Sequence, residues 1–304
     1  MLLAAQRRPS RIAPINGVPE VFDFPRDIQP VLDRHCVRCH NPAQRDGKIS
    51  LSGDRNEWFS EAYTALVMNH QVSDGQNQEG DRAPRAIGSA ASPLLKLLDG
   101  SHYQAKLSPR EYRQLQLWID GGANYAGTIA AAGTGEGSIK RDEIQRVVTR
   151  RCTPCHANGL ANLGYRVPAD RHYDHAVLSD LHLYNLTHPA HSWLLLAPLA
   201  KAAGGHGACR ERSAAAGKAP PVFADTRDPD YQALLAPIEV AAAELVRNKR
   251  YDMPGFRPRL EYVRQLQRFG VLPESFDAQR EPLDGFQADE AYYRSLWHRP
   301  VTGR

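Results

Sequence analysis

Cys36-Val37-Arg38-Cys39-His40 and Cys152-Thr153-Pro154-Cys155-His156 are two copies of one pattern, C-x-x-C-H. The spacing has a chemical meaning. Two thiols three positions apart can each form a thioether to one vinyl group of a single haem, and the histidine that follows supplies an axial imidazole nitrogen to the iron. A C-x-x-C alone also fits a zinc ribbon, a redox dithiol or a disulfide. A ribbon pairs two such elements roughly 15 to 20 residues apart, and here the second lies far downstream. A redox dithiol wants a strand–helix–strand setting, whereas both motifs follow helical patterns. The expected cofactors are therefore two covalently attached haem c groups, held by Cys36, Cys39, Cys152 and Cys155, with His40 and His156 on the irons.

The flanks repeat as well. Ile28-Gln29-Pro30-Val31-Leu32-Asp33-Arg34-His35 precedes the first motif, and Ile144-Gln145-Arg146-Val147-Val148-Thr149-Arg150-Arg151 precedes the second. In each, apolar residues at i, i+3 and i+4 predict a helix with one face for a core or a haem. Downstream, Arg113-Gln114-Leu115-Gln116 recurs as Arg264-Gln265-Leu266-Gln267. Ser108-Pro109-Arg110-Glu111 is a capping box opening a helix with the stripe Tyr112, Leu115, Trp118 and Ile119, which Gly121-Gly122 stops. Tyr262, Leu266 and Phe269 form the second stripe, and Gly270 ends it. The expected fold is mainly α, with two tandem haem domains resembling class I cytochromes c and long loops. Their bounds are 20–127 and 138–275, with an N-terminal extension 1–19, a small, flexible linker 128–137 and a C-terminal tail 276–304 that packs back or binds a partner.

In class I c-type cytochromes the distal ligand sits in a loop ahead of the last helix. The resemblance implies His102 for the first iron and Met253, in Met253-Pro254-Gly255-Phe256, for the second. His70 is the rival at the first site, and His182 and His206 are rivals at the second. His172, His175, His182, His188 and His191 suggest either a separate zinc or copper site or solvated helix faces.

With 38 basic and 34 acidic residues the net charge is +4, and no basic stripe interleaved with aromatics points to nucleic acid. No apolar run is long enough to span a membrane. The fifth cysteine, Cys209, reads as a structural thiol in a loop. The segment Met1-Leu2-Leu3-Ala4-Ala5 meets Arg7-Arg8 at once, too soon for a secretory signal. Haem c is normally attached outside the bacterial cytoplasmic membrane, so the expectation is a periplasmic or otherwise exported chain, part of a longer protein.

A wider likeness rests on Asn16-Gly17-Val18-Pro19-Glu20-Val21-Phe22-Asp23-Phe24-Pro25, Lys96-Leu97-Leu98-Asp99-Gly100-Ser101-His102-Tyr103, Leu183-Tyr184-Asn185-Leu186-Thr187 and Asp252-Met253-Pro254-Gly255-Phe256. These resemble the C-terminal dihaem region of hydrazine synthase alpha-subunit-like proteins. The resemblance implies a larger β-rich N-terminal domain in the parent chain. It also implies a catalytic haem tied to a tyrosine shortly after its C-x-x-C-H, near a zinc, and a second, bis-histidine haem. This chain departs from that pattern: Asn41-Pro42-Ala43-Gln44 follows His40, with no tyrosine. The expected role is therefore electron transfer with redox partner proteins or a larger parent chain or complex. Met/His ligation raises reduction potential, so electrons are expected to run from the first haem to the second. The alternative is an oxidoreductase related to the hydrazine synthase alpha subunit, with one open haem acting on a small nitrogen compound.

Overall fold

A computed structural model describes residues 15–72, 83–133, 137–156, 181–211 and 219–297. Among them the chain is helical and has no strand, only isolated bridges such as Asp99 with Lys106 and Leu199 with Phe223.

The first half begins with a π turn, Phe24–Ile28, that runs into α1 (Gln29–His35). The Asp23 side chain caps it by accepting from the Arg26 N–H, and Pro25 occupies the first turn, where no amide partner is needed. α2 (Glu61–Met68), α3 (Pro93–Lys96) and α4 (Pro109–Asp120) follow. The capping box of α4 forms as expected: Ser108 Oγ accepts from the Glu111 N–H at 3.3 Å and Glu111 Oε2 accepts from the Ser108 N–H at 2.9 Å. Phe24, Ile28, Val31, Leu32, Leu66, Leu115, Trp118 and Ile119 fuse into one core. The indole N–H of Trp118 donates to the Asn124 carbonyl at 2.9 Å, so its polar edge is satisfied inside that core. Tyr112, expected in the stripe, is 41 % exposed. It lies in the first turn of α4, beyond the reach of the core.

In the second half α5 (Arg141–Val147) runs into a π turn, Val148–Cys152. α6 (Trp193–Leu196), α7 (Pro229–Asn248), α8 (Leu260–Arg268) and α9 (Gly285–Trp297) complete it. α5 packs on α7, with Ile144, Val147 and Val148 in one buried cluster with Leu234, Ile238, Ala241 and Leu245. α8 buries Val263 and Leu266. Tyr262 and Phe269 of its expected stripe turn instead to α9, the phenol donating to Asp289 Oδ1 at 2.6 Å and the phenyl ring meeting Tyr292 edge-on. Gly270 adopts φ 69°, the left-handed conformation that ends α8.

The C-terminal segment packs back on the body. Asp289 also accepts from Thr128 Oγ1 and the Ile129 N–H, both at 2.7 Å. The start of the expected linker is thus a 3-10 turn over Ile129–Ala131 held to α9.

A buried ion pair joins the halves. Arg250 is 3 % exposed and donates to the Asn56 and Phe59 carbonyls at 3.1 and 3.0 Å, both in the first half, and to Asp252 Oδ1 and Oδ2, each at 2.8 Å. Asp252 accepts in addition from Tyr125 Oη at 3.0 Å and Arg55 Nε at 3.2 Å. A second clasp runs from Arg141 to Glu57 at 2.6 Å. Burial opposes ionisation of Asp252, but the hydrogen bonds and charge of Arg250 and Arg55 outweigh it and hold the carboxyl below its ordinary range.

A carboxyl whose folded pKa is depressed contributes stability above its unfolded value and loses it as pH falls through the folded one. Asp252→Asn should destabilise the fold by about 3 kcal/mol at pH 7, since it strands a buried guanidinium. In urea titrations the gap between variant and wild type should close as pH drops below about 4; a gap independent of pH would show that the charge on Asp252 is not what stabilises.

Candidate functional site

Both C-x-x-C-H segments are built by the same backbone device. At the first, the Val37 N–H reaches back five residues to the Leu32 carbonyl at 3.1 Å; at the second, Thr153 does the same to Val148 at 3.0 Å. The Cys36 carbonyl then accepts from Cys39 and His40 at 3.1 and 3.0 Å, and the Cys152 carbonyl from Cys155 and His156 at 3.0 and 2.9 Å. A π-type widening at a helix end commonly marks a functional position, and here it brings both thiols and the histidine of each motif round one turn. Cys36 packs against the first core and Cys152 against the second. Burial pushes each of these thiols up to about 11. Thiols so raised are neutral near pH 7, unlike the activated thiolate of a redox dithiol.

At the first motif the loop 41–49 folds back beneath the histidine. His40 Nδ1 lies 2.7 Å from the Asp46 carbonyl, which fixes the proton on Nδ1 and leaves Nε2 to face a metal. Gly47, with φ 65°, lies under the ring, where a Cβ would sit 3.7 Å from His40 Cε1. His102, in the turn between α3 and α4, presents its ring to His40 with centroids 6.0 Å apart and planes 12° from parallel. Two imidazoles that share one metal through bonds of about 2 Å have centroids roughly 6 Å apart. The structure thus sets the rings of His40 and His102 beside each other.

At the second motif a cavity of about 760 Å³ is lined by Cys152, Cys155, His156, His182, His206 and Phe223, among others. That volume lies within the range of cofactor sites. Its far wall is Arg45, Gly47, Lys48 and Ile49, the loop that supports His40. Arg45 stacks over Trp193 at 4.3 Å and pairs with the buried Glu61 at 2.9 Å, and His206 Nε2 donates to the Pro42 carbonyl at 3.2 Å. Cys209, read as a loop thiol, lines this cavity too, and burial raises its pKa.

A third repeat, missed in the sequence, surfaces here. α3 and α6 are both single-turn helices with a fully buried serine at the N-cap, Ser92 and Ser192, followed by buried leucines, Leu94-Leu95 and Leu194-Leu195. Each leads to a glycine at positive φ, Gly100 at 102° and Gly204 at 90°, and two residues later to a histidine, His102 or His206. His206 is the positional counterpart of His102. Met253 does not line the cavity; it packs against the second core, and its sulfur accepts from the Arg250 N–H at 3.4 Å. His182 is 8 % exposed and lies on the cavity wall, His70 sits at the left-handed end of α2, and His172 and His175 lie outside the described residues.

Hydrazine synthase subunit alpha of Kuenenia stuttgartiensis is 33 % identical to this chain over 106 residues, a match that takes in 33 % of the chain and 12 % of the relative. The relationship is distant, and the chain spans about an eighth of that relative's length. No family model matches the chain. No solved structure matches it.

A thiol at about 11 is ionised in roughly one molecule in a thousand at pH 8. In chain made without haem attachment, iodoacetamide at pH 8 should label exposed Cys155 about tenfold or more faster than Cys152, followed by peptide mass spectrometry. Equal rates would mean that Cys152 is not shielded by the core.

Proposed function

We propose that this chain is a dihaem c-type cytochrome module that carries electrons, with each iron closed on both faces by imidazole. The parallel rings of His40 and His102, 6.0 Å apart, carry the reading. Cys36 and Cys39 hold one haem, and Cys152 and Cys155 hold the other. His156 is the proximal ligand of the second site, and its counterpart is His206, favoured over Met253 because of its place after α6 and on the cavity wall. Each bound haem supplies an iron that cycles between ferric and ferrous states.

The residues of this chain prepare that cycling. The Asp46 carbonyl orients His40 through Nδ1, and the Pro42 carbonyl orients His206 through Nε2. The loop between them touches both sites, which favours electron exchange inside the chain. With imidazole on both irons, the argument for a higher potential at the second haem lapses, so direction is set by exposure and partners.

A hydrazine-forming centre is disfavoured at the first motif. There Asn41 Oδ1 accepts from the Ala43 and Gln44 N–H groups at 3.1 and 3.0 Å, so the residues after His40 form a closed turn, not a ligand arm. The distant likeness to a hydrazine synthase subunit supports a redox role and no particular substrate.

Chain matured with haem-attachment machinery should carry two haems, and Cys36→Ser with Cys39→Ser should carry one, read by pyridine haemochrome. The ferrous wild type should be low-spin and inert to carbon monoxide. His102→Ala and His206→Ala should each open one site to it, while Met253→Leu should leave the spectrum unchanged. Carbon monoxide binding by the wild type would favour an open-haem enzyme, and loss of a near-infrared band in Met253→Leu would restore Met253 as ligand.

A further inference from the structure

Asp54, His188 and His191 offer ligand atoms that all lie within 4.8 Å of one another. We propose that they form a binding site for a divalent first-row transition ion, distinct from the haem sites and bridging the two halves. His188 is the N-cap of a 3-10 turn, Pro189–His191, in which residues three apart eclipse, so the His188 and His191 rings stand 5.1 Å apart. Asp54 comes from the other half and brings Oδ2 to 3.0 Å from His188 Nδ1.

The two segments are locked in place. The Leu186 N–H donates to the Arg55 carbonyl at 2.6 Å, and the Arg55 N–H to Thr187 Oγ1 at 2.8 Å. Asn185 then performs two tasks. Its Oδ1 accepts from the Thr187 and His188 N–H groups at 3.0 and 2.7 Å, and its Nδ2 donates to Asp54 Oδ2 at 2.7 Å. A ligating carboxylate is commonly oriented by such an outer hydrogen bond. Two imidazoles and one carboxylate suit zinc or its first-row neighbours, leaving a position for water. Bonds of about 2 Å space tetrahedral donors roughly 3.3 Å apart, and the exposed His191 ring reaches that by side-chain rotation. His188 and His191 are solvent-exposed, so an ion enters without opening the fold.

Because the ligands come from both halves, binding should resist their separation. The haem-loaded chain, stripped with a chelator, is titrated with Zn²⁺ against a chromophoric competitor. One zinc per chain is expected, with an affinity that falls about tenfold or more in His191→Ala and in Asp54→Asn. Zinc should raise the thermal midpoint of the wild type by several degrees and that of both variants by clearly less. No stoichiometric binding, or binding and stabilisation unchanged in the variants, would overturn the proposal. The visible haem spectrum should not change, so a failure here is separate from a failure of the haem reading.

Discussion

An arginine with 3 % of its surface in water is costly unless every donor is met. Arg250 meets that demand only by reaching across to the Asn56 and Phe59 carbonyls, while Asp252 beside it takes the Tyr125 hydroxyl and Arg55. The ion pair is therefore complete only when the two halves are docked. Much else depends on that docking. It sets Arg45 over Trp193, gives His206 the Pro42 carbonyl, and makes the loop under His40 one wall of the cavity beside His156.

The parts legible in the sequence are those whose physics is local. The helix before each C-x-x-C-H, the capping box at Ser108 and Glu111, and the stop at Gly270 need only neighbours in the chain, and each formed where its pattern lies. The approach of His102 to His40 was legible because the loop ahead of α4 is short. The equivalence of His206 was hidden by the longer stretch between Leu195 and His206 and by the loss of apolar identity around it. Met253-Pro254-Gly255 reads the same whatever the sulfur faces, and in this structure it accepts from the Arg250 N–H. Single long-range partners such as Arg250 and Asp289 leave no periodicity to read.

The chemistry of the sites is one of restraint. Cys36 and Cys152 are half-buried, and that burial raises the pKa of their thiols, which slows exchange chemistry. The imidazoles are positioned by backbone carbonyls, which neither titrate nor move independently of the loop.

The helices before each C-x-x-C-H, the five-residue backbone bonds that end them and the single-turn helices α3 and α6 recur in the two halves. Yet the two copies no longer carry equal shares of the whole. The second supplies Arg250 and Asp252, and the first supplies the Asn56 and Phe59 carbonyls, the Tyr125 hydroxyl and Arg55 that complete the pair. Internal likeness here does not amount to modularity: parted from the first half, Arg250 would keep Asp252 but lose the two carbonyls that complete its donors.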